Sequence, residues 1–159
     1  MQVPHQIAKH LRDVHFGGNW TAVNLQNLLA DVSWQQATRR VGSFHTIAEL
    51  VFHMNYFVSV TLQVLEGGPL DTKEALSFNH PEISSQANWE RLLNKSWEDA
   101  ERLASSIEHI PESQLWDDFI DPKYGNYYRC LNGPIEPCHY HLGQIALLKS
   151  LLVESSGEA

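Results

Sequence analysis

The feature that most constrains this chain is a long helical periodicity between residues 89 and 107. Apolar residues recur at intervals of three and four, with charged residues between them; the apolar positions are Trp89, Leu92, Leu93, Trp97, Ala100, Leu103, Ala104 and Ile107. A stripe of this kind is typical of an α-helix that buries one face against other helices. Ser85 is placed to cap its N-terminus, and Pro111 lies just beyond its end.

The N-terminal part of the chain predicts helix as well. Helical spacing runs from Pro4 to Val14 and is interrupted by Gly17-Gly18. Asn19 is placed to cap a second segment, which carries an apolar stripe ending at Val32, so we expect this segment to continue the first helix after a kink. Ser33 is expected to start a short helical turn.

Two more long helices complete the prediction. The stretch from Thr46 to Glu66 is apolar on almost every side, which places it at the centre of the fold. A polar crossover connection of about 15 residues follows it, up to Pro81. The closing helix begins at Pro134 or Pro137 and extends to Val153.

The remaining patterns favour an all-α fold. The turn signal DPKYGN, within residues 121–133, predicts a small irregular flap before the closing helix. No alternating strand pattern, repeat or low-complexity linker is present in the sequence. We therefore expect one domain, residues 1–159, built as a four-helix bundle with a long crossover connection.

Composition narrows the classes of function. A net charge of −8 with only 11 Lys and Arg residues argues against nucleic acid as a partner. The apolar stretch Leu50–Leu65 contains several polar residues, so we interpret it as a core helix rather than a membrane span. Cys130 and Cys138 do not form a dense disulfide framework, and the N-terminus lacks the apolar core of a secretory signal, so a cytoplasmic location is expected.

Histidines supply the candidate chemistry. His45, Glu49 and His53 follow one another in steps of four, which places them along one face of the central helix. In the closing helix, His141 belongs to an apolar seam that also contains Cys138 and Ile145. Two inward histidines on different helices indicate a site for zinc, copper or nickel, whereas the alternative is a pair of hydrogen-bonded core side chains.

These segments also carry a family resemblance. The sequence SFHTIAELVFHMNYF resembles the second helix of the DinB-like (YfiT-like) metal-dependent hydrolases, and HYHLGQIALLKSLL resembles their closing helix. The segments GGNWTAVNL, YGNYYR and IEPCHYHLGQI are similar to one subgroup of that family. The resemblance implies a four-helix bundle that holds a metal with three histidines, of which His53 is the first and His141 the third.

The chain departs from this pattern at Pro137, which stands four residues before His141 and offers no ligand atom. Cys138 could supply a thiolate from nearly the same face, since zinc accepts mixed sulfur and nitrogen ligands. His139 or Glu49 could instead rotate inward, although His139 points away on an ideal helix. In the third case the histidines bind metal weakly or not at all.

Two classes of function follow from these residues. By resemblance the protein is a hydrolase or a thiol-dependent transferase that uses zinc or nickel, with Glu49 and His45 as candidate catalytic residues. The alternative is a metal-free protein that binds a small molecule under a flap formed by Tyr124, Tyr127, Tyr128 and Arg129. The resemblance also implies a homodimer. For Glu49 the competing interpretation is a carboxylate of the first helical turn.

Overall fold

The computed structural model describes residues 2–157. They form seven α-helices, together with 3₁₀ turns at Glu74–Leu76, Glu112–Trp116 and Pro122–Tyr124. The α-helices are α1 (Val3–Phe16), α2 (Leu25–Leu29), α3 (Trp34–Thr38), α4 (Ile47–Leu65), α5 (Gln86–Glu108), α6 (Tyr127–Asn132) and α7 (Ile135–Gly157). Within the described residues there is no β-strand, only an isolated bridge between Asp118 and Asn126. The expectation of an all-α fold is confirmed.

The long helices pack around a common core. Helix α5 lies along both α1 and α4, and α7 packs against α4 and α1. The core side chains that are fully shielded from solvent include Leu11, Ile47, Val58, Trp89, Leu103 and Ile145. Trp89 anchors the short helices as well, because its indole nitrogen donates to the carbonyl of Val32 at 2.9 Å. The arrangement is bundle-like, with α6 and α7 together forming the last long element.

Side-chain caps determine where several helices begin. Ser33 and Thr46 each form a capping box, with Gln36 and Glu49 as their respective partners. Ser85 accepts a hydrogen bond from the backbone N–H of Asn88 and so caps α5, as its sequence position predicted. These caps satisfy N–H groups that have no partner inside the helix.

The predicted course of the chain after α1 is wrong. Asn24, rather than Asn19, caps α2, and Asn19 instead donates its amide hydrogens to Thr21 and to the carbonyl of Val23. Helix α1 ends at Gly17, whose φ of 115° is a conformation that glycine adopts readily. Helix α2 is therefore a separate helix after a turn, not a kinked continuation of α1.

The region before the closing helix is more helical than expected. Residues 127–132 form α6, and α7 begins at Ile135 after a short turn. Of the predicted flap, only residues 121–126 precede the first of these α-helices. Pro137 is the third residue of α7. It breaks no intrahelical hydrogen bond there, because the first N–H groups of a helix have no acceptor within it.

Helix α4 is long and apolar enough, by composition alone, to cross a membrane. Half of the residues in its most apolar window are buried inside the protein, as expected of a core helix covered by α5 and α7. The sequence-based interpretation of this helix as the centre of the fold agrees with its packing.

A histidine away from the α4–α7 seam is also buried. His15, near the end of α1, is 2% exposed, and its Nδ1–H donates to the carbonyl of Leu11 at 2.8 Å. Phe16 and Trp97 lie beside its ring. Burial lowers the pKa of His15 to about 4, and the hydrogen bond to Leu11 opposes this only in part. The ring is therefore neutral in the folded protein near pH 7.

This burial predicts a loss of stability in mild acid. Between pH 6.5 and pH 4 the unfolded chain binds a proton at His15 that the folded chain does not, so stability falls as the pH falls. Going from pH 7 to pH 5 is expected to cost about 2 kcal/mol through this residue. Urea unfolding of the native protein and of His15→Phe at both pH values isolates the effect, and an identical acid loss in the two proteins would contradict it.

Candidate functional site

Helices α4 and α7 bring two of the predicted histidines together. The ring centroids of His53 and His141 are 5.0 Å apart, and the ring planes are nearly perpendicular at 89°. His141 is 8% exposed, and His53 is partly buried. The core packing of α4 against α7 fixes this approach, because buried apolar side chains such as Leu50 and Ile145 lie on the same two helices.

A serine from the connection between α4 and α5 orients His53. The hydroxyl of Ser77 donates its single hydrogen to the carbonyl of Glu74 at 2.7 Å, so its oxygen must accept from Nδ1–H of His53 at 2.9 Å. Ser77 is completely buried. In the neutral ring the proton is therefore on Nδ1, and Nε2 carries a free lone pair.

His141 has the same arrangement. Its Nδ1 lies 2.6 Å from the carboxamide oxygen of Gln144, one turn further along α7. That oxygen can only accept, so Nδ1 of His141 donates and Nε2 again carries the lone pair. Both rings are thus held through Nδ1 by an oxygen, which is how histidine ligands of metal sites are usually oriented.

An aromatic stack ties the connecting segment to α4. The ring of Phe78 lies between His45 and His53, parallel to both, with centroid distances of 4.1 and 4.0 Å. Phe57 packs edge-on against the ring of His53, with the two ring centroids 5.1 Å apart. Ser77 and Phe78 together hold this segment over the histidines, so the site is built partly from residues outside the helices.

The environment keeps His53 neutral. Burial lowers its pKa to about 4, and the neighbouring rings of His141 and His45 add to the effect. A neutral imidazole can use its Nε2 lone pair to bind a metal ion or accept a hydrogen bond.

Glu49 helps to cap the N-terminus of α4. Its carboxylate accepts from the backbone N–H of Thr46 at 2.7 Å, from Arg40 at 2.5 Å and from Nδ1 of His45 at 3.2 Å. Burial acts to raise the pKa of Glu49, but the bonds from Thr46, His45 and Arg40 outweigh it and lower the pKa. Glu49 is thus a charged capping residue that also orients His45, which itself precedes the helix.

The proposed third ligands are directed elsewhere. The thiol of Cys138 is completely buried and donates to the carbonyl of Pro134 at 3.2 Å, and burial raises its pKa to about 12. Nε2 of His139 faces Nε2 of His10 on α1 at 2.9 Å. Among residues 2–157 no group of three His, Cys, Asp or Glu side chains is arranged to hold a metal ion.

A cavity lies beside Pro137, the residue four positions before His141. It has a volume of about 320 Å³, and Pro137, Phe57, Tyr124 and Cys130 are among the residues that line it. The other flap residues point to separate contacts. Tyr127 packs on Phe119 and Tyr128 stacks on Trp116. Arg129 lines a different cavity, beside His10 and His139.

Comparisons with known proteins do not identify a family. No protein-family model matches the chain, and neither a curated protein nor a solved structure matches it.

Sequence reasoning did not identify three residues of the site. Ser77 and Phe78 lie in a segment without periodicity, and no sequence signal connects them to α4. Gln144 had a signal, because it follows His141 by three residues and so lies on the same helical face.

The bond between Ser77 and His53 can be measured by a double-mutant cycle. We expect Ser77→Ala and His53→Phe each to lower the free energy of unfolding and to be coupled by about 1 kcal/mol, since the bond is buried. Urea unfolding of the four proteins gives the coupling. Gln144→Leu paired with Ser77→Ala is the control, and it should show additive effects. A coupling near zero for Ser77 with His53 would contradict the assigned bond.

Proposed function

We propose that this chain is a DinB-like metal-dependent enzyme, a hydrolase or a thiol-dependent transferase, with an altered metal site at His53 and His141. The proposal takes the chain as one cytoplasmic domain, residues 1–159, with a four-helix bundle of the DinB type that works as a homodimer. The family assignment relies on the resemblance of its two histidine-bearing helices.

The observation that carries the proposal is the pair of oriented imidazoles. Ser77 and Gln144 accept from the Nδ1 atoms, so both Nε2 lone pairs are free on rings 5.0 Å apart. Neither Nε2 is among the buried, unpartnered atoms of the described residues, so each lone pair is open to a metal ion, a ligand or water.

The donor set suits a divalent transition ion but provides only two protein ligands. Neutral imidazoles suit zinc and nickel, and two of them leave several positions for water or substrate. Cys138 would need to lose its proton and leave its buried bond to Pro134 before it could join. We therefore expect weak binding through His53 and His141 alone.

The side chains around His53 and His141 have separate roles in this proposal. A bound metal ion would lower the pKa of a water molecule or a thiol at this place. Glu49 is ionised, and its carboxylate can only accept, so it fixes the proton of His45 on Nδ1. Nε2 of His45 then carries the lone pair, but the ring of Phe78 separates it from His53, so the half-exposed His45 would act only on a substrate that extends past Phe78.

A metal-free binding protein is the second candidate. It is favoured by Pro137, which removes a ligand, and by the largely apolar cavity of about 320 Å³ beside it. Under this proposal the cavity holds a small organic molecule, and the two histidines, which do not line it, are hydrogen-bonded core side chains.

Metal content tests the choice between the two. Protein purified without an affinity tag and incubated with zinc or nickel is expected to bind about one ion per chain, weakly, through two imidazoles. His53→Ala/His141→Ala should lose this ion, while Cys138→Ser should keep it, because that thiol is not a ligand in the proposal. Equilibrium dialysis followed by elemental analysis provides the measurement, and equal metal content in the double variant would overturn the assignment.

Restoring the missing ligand is a second, independent test. Pro137 lies one turn before His141 and lines a cavity with room for an imidazole, so Pro137→His should raise zinc affinity at least about tenfold. Ser150→His is the matched control, because that exposed position of α7 lies more than two turns beyond His141. Competition with a zinc chelator measures the affinities. No gain for Pro137→His over the control would contradict a third-ligand position there.

A further inference from the structure

A second cavity lies between α4, α5 and the connection that joins them. Asp71 and residues 81–83 of that connection line it together with residues of both helices, and its volume is about 440 Å³. Apolar side chains such as Phe52, Val60, Ile83 and Leu92 supply much of its wall. Asn55 also lines it and is two residues from His53, which places the two side chains on nearly opposite faces of the helix. This volume is in the range of small-molecule sites.

Asn55 carries an unused hydrogen-bond acceptor. The residue is 7% exposed, and its amide nitrogen donates to Oδ2 of Asp99 on α5 at 3.2 Å. A carboxylate can only accept, so the nitrogen must face Asp99 and the amide orientation is fixed. The carboxamide oxygen of Asn55 is buried and has no hydrogen-bond partner among the described residues.

Two further donors hold the carboxylate of Asp99 in place beside Asn55. Ser59 donates to the same carboxylate oxygen at 2.5 Å, and Lys95 does so at 2.6 Å. Burial acts to raise the pKa of Asp99, but Lys95 and Ser59 outweigh it and lower the pKa, so the carboxylate remains charged. The network keeps the amide nitrogen engaged and leaves only the oxygen of Asn55 without a partner among the described residues.

Charges of both signs line the cavity. Asp71 and Glu82 contribute two carboxylates, and Arg91 and Lys95 contribute two cations. A ligand with a net charge of either sign gains little from such a mixed rim. The apolar wall and the unpaired acceptor therefore determine which chemistry the cavity recognises.

We propose that this cavity binds a neutral, largely apolar molecule of one or two rings that donates an O–H or N–H hydrogen bond to the carboxamide oxygen of Asn55. An unpaired buried acceptor is unfavourable, and a donor on the ligand removes that penalty. A molecule of the same shape without a donor buries the same apolar surface but leaves the oxygen unpaired. This site is independent of the metal site at His53 and His141.

Two probes that share the same rings, one with a donor and one with a methyl group in place of the hydroxyl hydrogen, test the proposal. 4-Phenylphenol carries a hydroxyl group, and 4-methoxybiphenyl has the same rings with the hydroxyl blocked. In titrations followed by methyl NMR, the phenol should bind at least about tenfold more tightly than the ether and shift the signals of Ile83 and Leu92. Equal affinity for the two probes, no binding of either, or shifts confined to Leu147 and Leu148 on α7 would overturn it.

Variants test whether Asn55 and this cavity account for the binding of the two probes. Asn55→Leu should bind both probes with the affinity of the ether, because the acceptor is gone while the apolar wall remains. Leu92→Trp fills the cavity and should bind neither probe. His53→Ala/His141→Ala should bind the phenol like the native protein, which separates failure here from failure of the metal proposal. Circular dichroism shows which variants fold, and the comparison of the two probes on the native protein stands without them.

Discussion

The structure depends on the burial of α4, a helix that is apolar on almost every side. Such a helix is stable only when other elements cover it, and α5, α7, α3 and the α4–α5 connection do so. Burial then imposes a second requirement, since each polar side chain on α4 must find a partner. Glu49 meets it at the helix start, His53 meets it through Ser77, and the amide nitrogen of Asn55 meets it through Asp99.

The two candidate sites are the places where this requirement is met only in part. At the α4–α7 seam, the hydrogen bonds of His53 and His141 occupy one nitrogen of each ring and leave the other free. At the α4–α5 seam, Asp99 holds the nitrogen of Asn55 and leaves its oxygen unpaired. The side chains of His53 and Asn55 lie on nearly opposite faces of α4, so one helix supports both sites.

Much of the fold could be predicted from local patterns. The apolar periodicity of α5, the uniform hydrophobicity of α4 and the caps at Ser33 and Ser85 lie within short windows of sequence. Errors arose where two local signals competed. Asn19 and Asn24 are both suitable caps, and the glycine turn after α1 selects Asn24. The turn residues before Tyr127 led to the prediction of an irregular segment where α6 forms. Helix α7 follows α6 after only two residues.

The sequence by itself determined an all-helical chain with His53 and His141 on inward faces of two helices, because helical periodicity fixes which positions share a face. Only the tertiary structure decided what those side chains contact. It directs Cys138 to Pro134 and His139 to His10, and it brings Ser77 and Phe78 from a non-periodic segment onto α4. The reason is physical: periodicity is a local property of the chain, whereas these contacts join residues far apart in sequence and form only when the helices pack.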